Sequence, residues 1–166
     1  MNYKSLFLNE YQALQLPFCA GIEQLAEQCR GLIAHEWIEE IDMIFYKTHA
    51  FTMSIDDILM RMPMLDWYKI AYETIKRRTG ACCHLSAAMA GILSYRGISN
   101  SIAIGSCLLT KGKYAGLRGI HYWNRVVLAN EVVNIDLCSS SSLFIFDEQE
   151  LKSHNIICNK EVVLKF

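Results

Sequence analysis

Three side chains of this sequence could act together on a carbonyl group: the thiol of Cys82, the imidazole of His121 and the carboxylate of Asp136. A thiolate is a nucleophile, an imidazole is the base that generates it, and a carboxylate fixes the imidazole tautomer. Cys82 follows Gly80-Ala81 and precedes an apolar stripe at helical spacing, Leu85, Ala88, Met89, Ile92 and Leu93. The first turn of a helix favours thiolate over thiol, because its N–H groups and dipole present positive charge. His121 opens one strand-like run and Asp136 closes the next. A four-residue loop, Val127 to Asn130, would set Val126 opposite Glu131 and His121 opposite Asp136 on one side of a hairpin. A slip of two residues leaves the pair diagonal and still within side-chain reach.

The other candidates carry blander readings. Cys83 adjoins Cys82 and competes for the nucleophile's role. His84 lies two residues along the same helix and is expected on the surface. His35-Glu36 opens a metalloprotease-like pattern, but position 39 is Glu39, so the second His is missing. Zinc through Cys82, Cys83, His84 and Cys138 rests on composition alone, for the chain contains no Cys-x-x-Cys. Neither a metal nor a cofactor is therefore expected. Trp123 reads as a core aromatic beside the site. The stretch Lys111 to Gly119 reads as a solvated loop, or as a cleft border that would favour acidic substrates, and it lacks the P-loop pattern.

The elements that must position these residues follow from periodicity. Apolar residues at spacings of three and four from Gly21 to Phe45 predict a helix. Ser54 before Ile55-Asp56-Asp57 is a plausible N-cap, and Pro63 splits the segment, with a second helix from about Pro63 to Lys76. Arg77-Arg78-Thr79-Gly80 closes that helix. A further helix is predicted from Ala81 to Tyr95, stopped by Gly97. Strands are predicted at Ser101–Leu109, His121–Leu128, Val132–Leu137 and Ile156–Phe166, with a polar break at Ser139 to Ser142 and a short helix at Asp147–Ser153. Helices followed by an antiparallel meander make an α+β layout.

At 166 residues the chain fits one domain: a helical N-terminal part at about 1–64, a catalytic core at 65–138 and a C-terminal helix and strand at 139–166. Hydrophobic residues are 52% and charged residues 20%, which excludes a disordered chain. Net charge is −1, without the basic excess of a nucleic-acid binder, and no run of 18 apolar residues suggests a membrane span. The expected partner is a protein or peptide substrate, with neither nucleic acid nor membrane. The N-terminal apolar run is too short for a secretory signal. Seven cysteines at scattered spacings read as reduced thiols, mostly small core hydrophobes, in a reducing, cytoplasmic setting. A small linker-free cysteine enzyme also fits delivery into another cell as an effector.

Four segments in order now resemble the transglutaminase-like branch of the papain-fold cysteine enzymes. Thr79-Gly80-Ala81-Cys82-Cys83-His84-Leu85-Ser86-Ala87 resembles that family's Gly-x-Cys helix start, with Leu85 in its apolar slot. Tyr95-Arg96-Gly97-Ile98 resembles its Arg-Gly-Ile. Ile120-His121-Tyr122-Trp123-Asn124-Arg125-Val126 resembles its His-x-Trp strand, and Val133-Asn134-Ile135-Asp136 its terminal Asp. The resemblance covers roughly residues 65–138. It implies a papain-like fold, Cys82 rather than Cys83 as nucleophile, and acyl transfer on an amide by a peptidase, deamidase or transglutaminase. The family's upstream oxyanion side chain has no counterpart: between Met64 and Gly80 there is no Gln or Asn, and Trp67, Tyr68 and Tyr72 are the available donors. Two other readings stay open, a binding module on a degenerate version of this fold and an acetyl transferase using a thioester donor. Small size and His-x-Trp argue against the last.

Overall fold

The computed structural model describes residues 1–36, 65–108, 110, 115–138 and 144–164. They form helices α1 (Tyr3–Ala13), α2 (Ile22–Leu32), α3 (Trp67–Arg77), α4 (Cys82–Tyr95) and α5 (Glu148–Ser153). The strands are β1 (Ala34–His35), β2 (Thr79–Gly80), β3 (Asn100–Leu108), β4 (Arg118–Leu128), β5 (Glu131–Ile135), β6 (Ile145–Phe146) and β7 (Ile157–Val162). The architecture is α+β. A five-stranded antiparallel sheet in the order β6-β5-β4-β3-β7 is a meander whose last strand returns beside β3.

Helix α4 is the centre of the molecule. Every residue from Cys82 to Leu93 is buried, the mark of a helix enclosed on all sides rather than lying on a surface. Its neighbours Ile102, Ile104, Tyr122, Val126 and Ile135 come from the sheet, and Ile70, Ala71 and Ile75 from α3. Gly91 lets α1 lie against it, since a methyl group there would meet the Phe7 ring at 2.6 Å. The other face of the sheet holds a smaller core of Ala103, Trp123, Phe146 and Leu151. Trp123 donates its indole N–H to Asn134 at 2.8 Å, so its one polar atom is satisfied although the side chain is fully buried. Asn124 donates from Nδ2 to the Ser86 carbonyl at 2.9 Å, tying the strand of His121 directly to the helix of Cys82.

Several sequence expectations need correction. The helix predicted through Phe45 ends at Leu32, because Ala34 and Glu36 hydrogen-bond to Arg78 and Gly80 in a short parallel ladder between β1 and β2. The part of that prediction from Trp37 to Phe45, and the Ser54 cap with its helix, lie outside the described residues. Helix α3 starts after Asp66, whose carboxylate accepts from the Lys69 N–H at 3.0 Å, rather than at Pro63. It ends at Arg77, one residue past the expected Lys76, with the left-handed Arg78, φ 61°, rather than a glycine, as its cap. β4 begins at Arg118, three residues before the expected start. The β4–β5 hairpin turns on two residues, Ala129 and Asn130, and Leu128 pairs with Glu131. That is the two-residue slip, so Asp136 lies diagonal to His121 rather than opposite.

Gly105 pairs with His121, and the register with β7 shifts between Ile104 and Gly105. A methyl group on Gly105 would fall 1.7 Å from the Ile157 carbonyl oxygen, a backbone atom that cannot step aside. Gly105→Ala should therefore cost about 1–3 kcal/mol of stability in a denaturant titration. Gly31→Ala, inside α2 with open space around it, should instead stabilise by about 0.5–1 kcal/mol.

Candidate active site

Cys82 is the first residue of α4, buried and 9% exposed. The turn that delivers it is built by its neighbours. His84 Nδ1 accepts the Ala81 N–H at 3.1 Å, capping the helix start with an imidazole. Burial, with Arg77 helping, holds His84 down at about 4, so the ring is a neutral acceptor at physiological pH. A methyl group on Gly80 would meet His84 Cβ at 2.4 Å. The glycine two residues before the thiol is thus required by the cap packed against it. His84 is buried, contrary to the surface position expected from its place on the helix. The adjacent Cys83 is fully buried, and its sulfur lies 3.4 Å from His84 Nδ1.

His121 and Asp136 meet across the hairpin. His121 Nε2 lies 2.6 Å from Asp136 Oδ2, a short charge-assisted bond between groups 15% and 8% exposed. The His121 ring stacks beside Trp123, with centroids 6.0 Å apart and planes 22° from parallel. Asp136 is anchored in turn. Its N–H donates to the Phe144 carbonyl at 2.7 Å, and its Oδ1 accepts both the N–H of Cys138 at 3.1 Å and the S–H of Cys138 at 3.0 Å. With Nε2 held by the carboxylate, Nδ1 is the ring nitrogen left for a sulfur. One imidazole nitrogen and the sulfurs of Cys82 and Cys138 all lie within 4.8 Å of one another.

The electrostatics follow from this packing. A hydrogen bond from Cys138 is the largest influence on the Cys82 thiol; with the His121 bond and charge it overcomes burial and holds the thiol well below its usual range. Burial works against the His121 imidazolium, but the charge and hydrogen bond of Asp136 outweigh it, with Cys82 adding, and raise His121 well above its usual value. Burial likewise disfavours the Asp136 carboxylate, yet His121 and the two bonds from Cys138 keep it ionised below its usual range. Cys138 is pushed up, first by its bond to Cys82, then by burial, so it stays a protonated donor. These directions favour a thiolate at Cys82 and an imidazolium at His121 beside an ionised Asp136, and the one S–H of Cys138 serves either Asp136 Oδ1 or Cys82 at a time.

All three residues singled out from the sequence converge here, and Cys83 does not join them. Cys138 enters the sequence reading only as a member of a composition-based zinc set, not as a partner of the triad. Its signal is the Asp-x-Cys spacing at a strand end, where the residue two beyond an acid turns back its N–H to the carboxylate. Of the expected upstream donors, Trp67 is buried against the Tyr122 ring, with centroids 6.2 Å apart, and belongs to the core.

Fold and site together define an α+β protein with a cysteine, a histidine and a carboxylate linked at the junction of a helix N-terminus and an antiparallel hairpin. Searches against family models, curated proteins and solved structures found no match. No helix among the described residues is long and apolar enough to cross a membrane.

A lowered thiol and a raised imidazole widen the pH span in which a thiolate–imidazolium pair is favoured, toward acid for the thiolate and toward alkali for the imidazolium. Alkylation of Cys82 by iodoacetamide should therefore be fast at pH 7, with its inflection well on the acid side of a free thiol. In Asp136→Asn the imidazolium loses its carboxylate, and the inflection should move up by about one unit or more. Circular dichroism checks folding, and coincident profiles would remove Asp136 from the relay.

Proposed function

We propose that this protein is a cysteine-dependent amide acyl-transfer enzyme of the transglutaminase-like, papain-fold type. The observation that carries the reading is the Asp136–His121 bond at 2.6 Å with its imidazole beside the thiol of Cys82. The sequence resemblance of residues 65–138, which includes these same residues, supports the same reading.

The Cys82 thiolate would attack the carbonyl carbon of a carboxamide or peptide bond. The new oxyanion would be met by the Cys82 backbone N–H at the positive end of α4. His121, already protonated by transfer from the thiol, would give its proton to the leaving amine or ammonia. Asp136 would hold the ring with Nδ1 toward the sulfur and stabilise its charge without taking the proton. Water, deprotonated by the now neutral His121, would release the acid and restore the thiolate–imidazolium pair. In transglutamination an amine would take the place of water. The substrate is a protein or peptide, and the relay itself needs no cofactor. A small cysteine enzyme of this type fits work in the cytoplasm of its own cell or, delivered as an effector, of another.

The second reading is a binding module in which the same cluster is structural. Incubation with candidate amide substrates and intact-mass analysis separates the two. The enzyme should accumulate an acyl adduct on one thiol, and Cys82→Ala should abolish adduct and turnover while Cys83→Ala leaves both largely intact. Asp136→Ala should lower turnover by about 10²–10⁴. Loss only in Cys83→Ala would reverse the assignment of the nucleophile. An inert wild type with an unreactive Cys82 would favour the binding module.

A further inference from the structure

The described residues bring two thiols and one imidazole to a single point, which is one sulfur more than an acyl-transfer relay uses. The donor atoms of Cys82, His121 and Cys138 lie within 4.8 Å of one another. In a tetrahedral zinc site with Zn–S of about 2.3 Å and Zn–N of about 2.0 Å, donors stand about 3.5–3.8 Å apart. Closing the triangle therefore needs shifts of no more than about 1 Å, well within rotamer adjustment. The three residues come from a helix start, a strand and the turn after a strand, and the Asn124–Ser86 bond already fixes the first two elements to each other.

We propose that Cys82, Cys138 and His121 form a three-ligand site for a soft divalent cation, with zinc the chemical match, leaving a fourth position open. Two thiolates and an imidazole select zinc over magnesium or calcium, which prefer oxygen ligands. The support behind the histidine is also of the right kind. Asp136 accepts from Nε2, which leaves Nδ1 to ligate once deprotonated, the carboxylate–histidine–metal arrangement that orients ligating imidazoles. Asp136 also holds the backbone N–H of Cys138, which keeps the turn in place when its thiol gives up its own bond to the carboxylate. Binding requires both sulfurs and Nδ1 of His121 to be free of protons, so zinc displaces the protons these ligands carry.

The ligand set differs from the one that composition alone suggested. His84 is occupied by the Ala81 N–H, Cys83 lies with it, and His121 takes their place. The binding of zinc rests on donor geometry and does not require Cys82 to be a nucleophile. Its consequence does rest on that reading: an ion held by Cys82 and His121 blocks both attack and proton transfer, and so acts as a reversible off-switch.

The test is a zinc titration of the reduced, chelator-treated full chain against a chromophoric chelator, with cobalt as a spectroscopic probe. The expected result is one ion per chain, thiolate-to-cobalt charge transfer in the near ultraviolet, and tetrahedral visible bands. Cys138→Ala and His121→Ala should each weaken zinc by at least about tenfold and lose the tetrahedral spectrum. Cys107→Ser and Cys83→Ser should bind as the wild type does. Absence of stoichiometric binding, unchanged affinity in Cys138→Ala, or loss of binding in Cys83→Ser would each overturn the site. Alkylation of metal-free Cys82 is read separately: a slow, ordinary thiol that still binds zinc through Cys138 leaves the metal site standing and removes the catalytic reading.

Discussion

A carboxylate buried beside an imidazole sets the state of everything around it. Asp136 is 8% exposed, so its charge cannot be left to water, and it collects three donors: the His121 ring, the Cys138 backbone and the Cys138 thiol. Because those donors hold it ionised, the cheapest partner for the charge is an imidazolium at His121. An imidazolium within reach of Cys82 in turn favours the thiolate. The influence of the carboxylate reaches the helix start through His121, where it joins the larger effect of the Cys138 hydrogen bond on the Cys82 thiol.

The fold is arranged to hold that chain of contacts still. Helix α4 is buried along its whole apolar length, so its N-terminus cannot drift relative to the sheet. The Asn124–Ser86 bond fixes the strand carrying His121 one turn along from Cys82. Gly80 and His84 shape the first turn from one side, and Gly105 lets β3, β4 and β7 pass closely where His121 stands. On the far face, Arg125 bridges Glu148 and Glu161, pinning α5 and β7 to the strand that bears the histidine. Each of these is a backbone or near-backbone constraint, which suits a site where a shift of an ångström separates proton transfer from a bystander contact.

Much of this was legible in the sequence, for identifiable reasons. The stripe Leu85, Ala88, Met89, Ile92 and Leu93 fixes α4 almost to the residue, since the apolar period and the Gly97 stop agree. The β4–β5 hairpin was readable as a pairing but not in its register. Alternation constrains which face a residue takes, and a shift of two preserves it. The left-handed Ala129, φ 54°, that makes the two-residue turn carries no glycine signal. The end of α2 was hidden for a tertiary reason: the helical period runs on past Ile33, and only the distant Arg78–Gly80 segment pulls Ala34 to Glu36 into a ladder. His84 was misplaced because helical geometry says where a side chain starts, not that it can fold back onto the N–H before its own helix. The place of Cys138 beside the triad was not legible, because a thiol two residues after an acid looks like any other cysteine until the turn brings it back.

The central claim is a thiolate–imidazolium pair at rest, and the protonation of His121 reports it directly. In chelator-treated protein labelled with ¹⁵N at histidine, both ring nitrogens of His121 should carry protons at pH 7. Their titration should lie well above the ordinary histidine value of about 6.5. A neutral His121 ring at pH 7, with a single protonated nitrogen and an ordinary titration midpoint, would contradict the account.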